Sequence, residues 1–307
     1  MMTLGPLATT FSIVGYERAE PAWGIAIASR FLAVGAGTCW GAPGVGVVVI
    51  QAHLNKQNGA DGLEMLRRGA NASRVIENLM ARDSHHAVRQ MAVVDRAGRI
   101  ATYTGERCNP WAGGLAGERC AAQGNTLAGP QVVEAMVEAF TTHPGTLARR
   151  LVDALAAGDR SGGDVRGREA TALLVVHPPD EDLFDVFSHH TINLRVDDHL
   201  EPFYELSRLL DLYELVHQPT AHEERLPPSD ETVRRLQQGL RTLGYFDQDP
   251  TGVLDEATKA ALSRLARFHN LRQRLTTLEW IDRRVLDYVE HKAAEAGRRT
   301  RGRVDKT

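Results

Sequence analysis

Cysteine is scarce: the 307-residue chain has three, Cys39, Cys108 and Cys120. With no CxxC pair among them, they make neither a disulfide framework nor a zinc motif, and they read as free thiols of a reducing compartment. Cys120, in ERCAAQGN, is expected in a buried strand, away from any reactive site. Long apolar runs are missing, so no segment approaches the roughly 20 residues that span a membrane. The opening MMTLGPLATT has no basic stretch followed by an apolar core, which argues against a secretory signal and for a cytoplasmic protein. No G-x-G-x-x-G or P-loop follows a strand pattern, which leaves dinucleotide and nucleoside triphosphate sites without support. Excess positive charge is absent as well. A net charge of −3 argues against nucleic-acid binding, which calls for a basic face or stripe. The basic ending over 292–307 reads as a solvated, disordered tail. The pairs His85-His86 and His189-His190 cannot both face one metal from a strand or helix, and neither has H-E-x-x-H spacing. They read as surface residues, with no metal.

What is present is a soluble composition, 43% hydrophobic and 24% charged. The length favours one large domain and one small one. Short runs rich in Val, Ile and Ala, bounded by Gly, Pro or Asp, predict strands over 11–16, 23–28, 45–52, 89–95, 100–104, 120–123, 171–176 and 183–188. Residues 89–105 read as a hairpin about Asp95-Arg96-Ala97-Gly98. Helical spacing links Leu63, Leu66, Val75, Ile76, Leu79 and Met80 across two helices broken near Gly69, with Ser73 as the predicted N-cap of the second. A further pair carries the stripes Val132, Val133, Met136, Val137, Phe140 and Leu147, Leu151, Val152, Leu155. Hairpins separated by paired helices predict an α+β fold of two stacked sheets flanked by helices, not a doubly wound parallel sheet. A helix over 201–217 closes this region; 218–228 is a linker by composition. Residues 229–291 form a small helical domain, with Asp255 as an N-cap.

Thr10 heads the first long strand, and the next strand delivers Ser29 and Arg30. A threonine at the head of a buried strand, facing a basic residue on its neighbour, can be activated as a nucleophile. It can equally be a strand threonine whose hydroxyl bonds local backbone. The stretches TFSIVGY, WGIAIASRFLAVGA, GVGVVVIQAHLN, VVDRAGRIATYTG, QGNTLAGPQVVEAMVEAF and GGDVRGREATALLVV decide the family. In this order they resemble the N-terminal-nucleophile hydrolase-like proteins of the domain of unknown function 1028 family, over a predicted domain of 9–217. The resemblance implies a four-layer α-β-β-α sandwich and amide-hydrolase ancestry, with no metal or organic cofactor. It implies Thr10 as nucleophile, its freed α-amine serving as general base with a pKa near 8.

Nine residues precede Thr10, with Thr9 immediately before it, so removal of Met cannot expose it. Cleavage at Thr9–Thr10 is required for this chemistry. Arg30, read as drawn inward, is expected to depress the amine pKa and stabilise negative charge. Asn125, at a glycine-bearing strand end, is a candidate oxyanion donor or a turn residue. Ser29 and Gln51 are candidates for substrate contact; Gln51 is as readily a solvated strand end. Asp164 and Arg166 hold their loop in shape or bind a polar substrate. The domain at 229–291 resembles the peptidoglycan-binding-like three-helix domain through LQQGLRTLGYF, DPTGVLDEATKAAL and RLARFHNL. The expected partners are a small-molecule or peptide substrate, a second copy in a homodimer, and cell-wall peptide or glycan at the C-terminal domain, with no membrane and no nucleic acid. The leading reading is an amide hydrolase; its rival is a non-catalytic binding or assembly protein that keeps the sandwich. An exported cell-wall amidase is the third.

Overall fold

The computed structural model describes residues 5–179, 191–275 and 279–304, with side chains as far as Arg298. The chain divides into two compact units, 1–210 and 211–307. Two antiparallel sheets build the first. One contains β1 (Leu7–Ala8), β4 (Cys39–Ala42), β5 (Gly46–His53), β6 (Arg89–Asp95) and β7 (Ile100–Thr104). Its path is β1-β5-β6-β7, and β4 pairs with β5 beside β1. The other contains β2 (Thr10–Glu17), β3 (Ala22–Ser29), β8 (Gly113–Gly117), β9 (Cys120–Gly124), β10 (Ala170–Val176) and β11 (Thr191–Val196). These lie in the order β11-β10-β3-β2-β9-β8. Helices α1 (Lys56–Arg67) and α2 (Ala72–Arg82) pack on the first sheet, α3 (Gln131–Thr142) and α4 (Leu147–Arg160) on the second. The result is the α-β-β-α stack that the hairpin-and-helix-pair pattern predicts.

Strand alternation fills the layers. Val14, Ile25, Ile27, Val47, Val49, Ala92, Val94 and Ala121 form the cluster between the sheets. The odd-even partners Val48, Ile50, Met91 and Val93 face α1 and α2 with Leu63, Leu66, Val75 and Leu79. On the far side Gly15 and Gly24 admit the helices closely. A Cβ on Gly15 would lie 2.8 Å from the Phe140 ring, and one on Gly24 2.4 Å from Leu151 Cδ1. Fully burying a side chain such as Leu151 is worth about 1.5–3 kcal/mol, so these layers supply most of the unit's stability. Cys120 is buried in its strand as expected.

Several local expectations are corrected. The N-cap of α2 is Asn71, whose side chain accepts from Arg74 N at 2.8 Å; Ser73 lies inside the first turn. An extended asparagine two residues earlier takes the cap position first. The short strands β4, β8 and β11 escape the pattern search; CWGA and GGLAG hold too few β-branched residues to alternate. The predicted strand over 183–188 and the pair His189-His190 lie outside the described residues. His86 is exposed, and its Nδ1 pairs with Tyr103 Oη at 2.9 Å.

The helix α5 (Pro202–His217) is followed by β12 (Arg225–Leu226), α6 (Asp230–Thr242), α7 (Glu256–Phe268), β13 (Ile281–Asp282) and α8 (Arg283–Val304). Helices α6, α7 and α8 enclose a separate core of Val233, Leu236, Leu240, Leu262, Leu265 and Val285. Asp255 caps α7, accepting from Thr258 N at 2.8 Å, as its sequence position predicts. The stretch over 218–228 is structured, unlike the linker its composition predicts. Leu226 pairs with Ile281, and Glu224 binds the buried Arg274 at 2.8 Å. Arg274 also holds Asp282 at 3.0 Å and the carbonyls of Glu214 and Leu215, so a charge anchors this polar segment where apolar burial does not. Helix α8 continues past His291 into the segment read as a disordered tail. Among the described residues no helix is long and apolar enough to cross a membrane.

In the first unit a buried ion pair joins Asp83, after α2, to Arg89 at the start of β6, 2.9 Å apart. Burial alone would raise the Asp83 pKa. Arg89, the His85 N–H and the amides of Asn58 and Asn55 outweigh it and hold the carboxyl at about 2. The stabilisation is complete above the ordinary value of 3.8 and is lost as pH falls toward about 2. Urea unfolding between pH 5 and 2 should therefore show falling stability, flattened in Asp83→Asn. Arg89→Ala, which takes the cationic partner from the buried carboxylate, should cost about 3–5 kcal/mol at pH 7.

Candidate active site

The polar residues on the inter-sheet faces collect at one end of the apolar cluster. By the period of two, Thr10 and Ser12 continue the face of Val14, Ser29 that of Ile27, Gln51 that of Val49, and Gln90 that of Ala92. All five are at least 97% buried. Removing so many polar groups from water costs stability unless each is hydrogen-bonded, and here they bond one another and nearby backbone carbonyls. Ser12 Oγ donates to Gln51 Oε1 at 2.7 Å, and Gln51 Nε2 donates to Gln90 Oε1 at 2.7 Å and to Thr10 O at 3.3 Å. Asn125 Nδ2 donates to the same Gln90 Oε1 at 2.8 Å. Gln90 Nε2 reaches Gly124 O at 2.9 Å and Thr104 Oγ1 at 2.9 Å. One glutamine on β6 therefore ties the two predicted amides, Gln51 and Asn125, to each other and to the strand that carries Thr10.

Thr10 is fully buried, and its Oγ1 donates to Ala8 O at 2.7 Å. The carbonyl just ahead of it takes two side-chain donors, one of them charged. Thr9 O accepts from Ser29 Oγ at 2.5 Å and from Arg166 Nη2 at 2.8 Å. Arg166 is aimed by Asp164, whose carboxylate takes Nε at 3.0 Å, Nη2 at 2.6 Å and the Arg166 N–H at 3.0 Å. The Asp164 loop is stitched to the loop after Asn125 by Val165 N to Thr126 O at 3.1 Å and Ala128 N to Gly163 O at 3.1 Å. Thr126 has φ 59°, a left-handed conformation that a β-branched residue adopts only at a cost. Asn125 Oδ1 and Thr9 Oγ1 are buried without a hydrogen-bond partner.

Of the sequence-predicted residues, Thr10, Ser29, Gln51, Asn125, Asp164 and Arg166 come together. Arg30 does not. It is exposed, and its Nη1 donates to Arg166 O at 2.6 Å, bracing the loop instead of entering the site. The alternation that turns Ser29 inward turns its neighbour outward. Asn125 spends its N–H groups on Gln90 and Thr10, and the donors on the Thr9 carbonyl are Ser29 and Arg166. Gln90 and Ser12 escaped the sequence reading. Their only signal is a polar residue on the same strand face as Ala92 or Val14. Among the described residues no three His, Cys, Asp or Glu side chains form a metal site.

The family model described as "Family of unknown function (DUF1028)" matches residues 10–206 and so begins on Thr10 itself. The chain belongs to this family. A DUF1028 protein from Silicibacter pomeroyi, of known crystal structure, is 30% identical; the match covers 67% of this chain and 86% of that one, with a TM-score of 0.60. Anbu from Hyphomicrobium, 13% identical with a TM-score of 0.31, matches over 66% of this chain and 93% of its own. Anbu (ancestral beta-subunit) from Yersinia bercovieri, 11% identical with a TM-score of 0.29, matches over 66% and 96%. These two likenesses are too weak to carry an argument. Residues 216–289 match the model described as "Putative peptidoglycan binding domain". No curated protein matches the chain.

Replacing Gln90 by leucine takes from two buried amides, Gln51 and Asn125, their short acceptor and leaves each only the longer contact to Thr10 O, at 3.3 and 3.5 Å. Denaturant unfolding of Gln90→Leu should show a loss of about 2–6 kcal/mol, at about 1–3 kcal/mol for each of the two amides. A loss below about 0.5 kcal/mol would show that the network does not hold the sheets.

Proposed function

We propose that the first unit is an N-terminal-nucleophile amide hydrolase whose first substrate is its own Thr9–Thr10 bond. The observation that supports this reading is the Thr9 carbonyl oxygen held by Ser29 Oγ and Arg166 Nη2. Donors in that position stabilise the negative charge that grows on the oxygen as its carbon is attacked. Thr10 Oγ1 adds to the Thr9 carbonyl carbon, the C–N bond breaks, and the acyl group moves from nitrogen to oxygen. Water then hydrolyses the ester, releasing Thr9 as a carboxylate and leaving Thr10 with a free α-amine.

The freed amine, with an ordinary pKa of about 8, takes the hydroxyl proton when Oγ1 attacks an external amide. Arg166 lies close enough to lower that pKa by charge, the role the sequence had suggested for Arg30. Gln51 and Asn125 hold Thr10 in register through its carbonyl. The substrate is an amide in a small molecule or short peptide, and the chemistry calls for no metal or organic cofactor.

The family match over 216–289 favours a second component. We propose that the C-terminal unit binds cell-wall peptide or glycan, which weighs against the cytoplasmic expectation. Purified protein should co-sediment with isolated peptidoglycan, and failure to do so at micromolar protein would remove this component.

Intact mass spectrometry tests the catalytic reading. The mature chain should begin at Thr10, and Thr10→Ala should stay uncleaved while folded. Arg166→Gln should slow processing on the order of 10²-fold, the usual cost of losing one oxyanion donor. A folded wild-type chain that retains its first nine residues would leave the non-catalytic alternative standing.

A further inference from the structure

Residues 5–8, ahead of Thr10, are docked, not merely attached. Leu7 pairs with His53 and Ala8 with Ala52, as a short strand added to the edge of β5. Leu54 N donates to Pro6 O at 2.8 Å, and His53 Nδ1 meets Gly5 O at 3.3 Å. Strand β4 covers the Gly46–Val49 stretch of the same edge, so residues 5–8 complete a place that β4 leaves open. Ala52 has φ 65°, an uncommon conformation for alanine, and it follows Gln51 directly. The backbone is held out of its ordinary range at the point where the incoming strand meets the site.

The docked side chains differ sharply in their surroundings. Ala8 is fully buried in the apolar cluster that includes Ile50 and Leu54. Thr9 is 2% exposed, and its hydroxyl bonds nothing. Leu7 is 38% exposed. A strand added to this edge therefore meets a small closed pocket at Ala8, a small closed pocket that offers a hydroxyl no partner at Thr9, and a partly solvent-facing place at Leu7. Main-chain pairing supplies affinity and the alternate pockets supply selectivity, as in other strand additions.

From this we infer that the β5 edge filled by residues 5–9 is the acyl subsite of the enzyme, and that it takes an extended peptide with small residues at the two positions before the scissile bond. This assignment rests on the hydrolase reading above. It adds that the leader is a bound substrate of that site, and that after cleavage its new carboxylate lies against Arg166 and Ser29 until it departs.

The test separates binding from chemistry by working in a full-length Thr10→Ala chain. Ala8→Trp is added to unseat the leader, with Ala8→Leu as the milder variant should circular dichroism show a folding defect. The probe is acetyl-Gly-Pro-Leu-Ala-Thr with a free carboxylate, followed by calorimetry and by hydrogen exchange at residues 52–54. The peptide should bind the unseated chain at least tenfold more tightly than the chain with its leader in place, and should protect those amides. Exchanging the peptide's alanine for tryptophan, or adding Arg166→Gln to the protein, should weaken binding at least tenfold. Exchanging its leucine for tryptophan should change binding less than threefold. Equal binding to both chains, indifference to the alanine exchange, or no binding at millimolar peptide would overturn the subsite. Failure of wild-type self-cleavage, with peptide binding intact, would count against the nucleophile and leave the subsite in place.

Discussion

The amide of Gln90 is the constraint on which the site depends. It accepts from Gln51 on β5 and from Asn125 beyond β9, and donates to the Gly124 carbonyl and to Thr104 on β7. Both sheets are thereby joined at the end of their shared core by neutral groups. Apolar packing between sheets is non-directional and tolerates small sliding motions. A buried amide network does not, because any shift strands a buried donor or acceptor at about 1–3 kcal/mol. The network therefore supplies what the apolar cluster cannot: a fixed register for Thr10 relative to the facing sheet.

Charge is kept one step away from the threonine. The Asp164–Arg166 pair reaches it only through the Thr9 carbonyl, from a loop that Arg30 braces on the outside and the Thr126–Leu127 segment on the inside. Neutral amides fix position, and a single guanidinium supplies field. Backbone strain gathers in the same place, at Ala52 and Thr126, held there by the surrounding hydrogen bonds and packing.

The C-terminal unit follows a different plan. Its three-helix core is apolar, yet the polar segment at 218–228 is drawn in by one buried arginine, Arg274, bonded to Glu224 and Asp282. Thr220 also donates to Asp282. Such a cluster contributes specificity of docking more than net stability, since ion burial offsets much of the Coulombic gain. Composition reads Gln, Pro, Thr, His and Glu as a linker because it weighs residues singly, whereas the partners here lie about 50 residues apart in sequence.

The sequence by itself determined the layers. Alternation along β2, β3, β5 and β6 and the stripes of α1 to α4 are short-range properties, set by strand and helix geometry, and they dictate two stacked sheets between helix pairs. It also marked Thr10, Ser29, Gln51 and Asn125, since a polar residue at the end of a buried strand stands out against Val and Ile, and it marked Asp164 and Arg166 through their likeness to the family's loop before a core strand. Only the tertiary structure decided which of two neighbouring charges serves the site. Arg30 and Arg166 are both loop arginines near buried strands, and only the packing of the 163–167 loop against the strand end carries Arg166 to the Thr9 carbonyl. Gln90 was hidden for a related reason: its worth lies in partners on four other strands and the turn beyond one of them, and no local pattern records them. Residues 5–8 likewise carry no pattern of their own, and become a seated strand only where β5 offers an open edge.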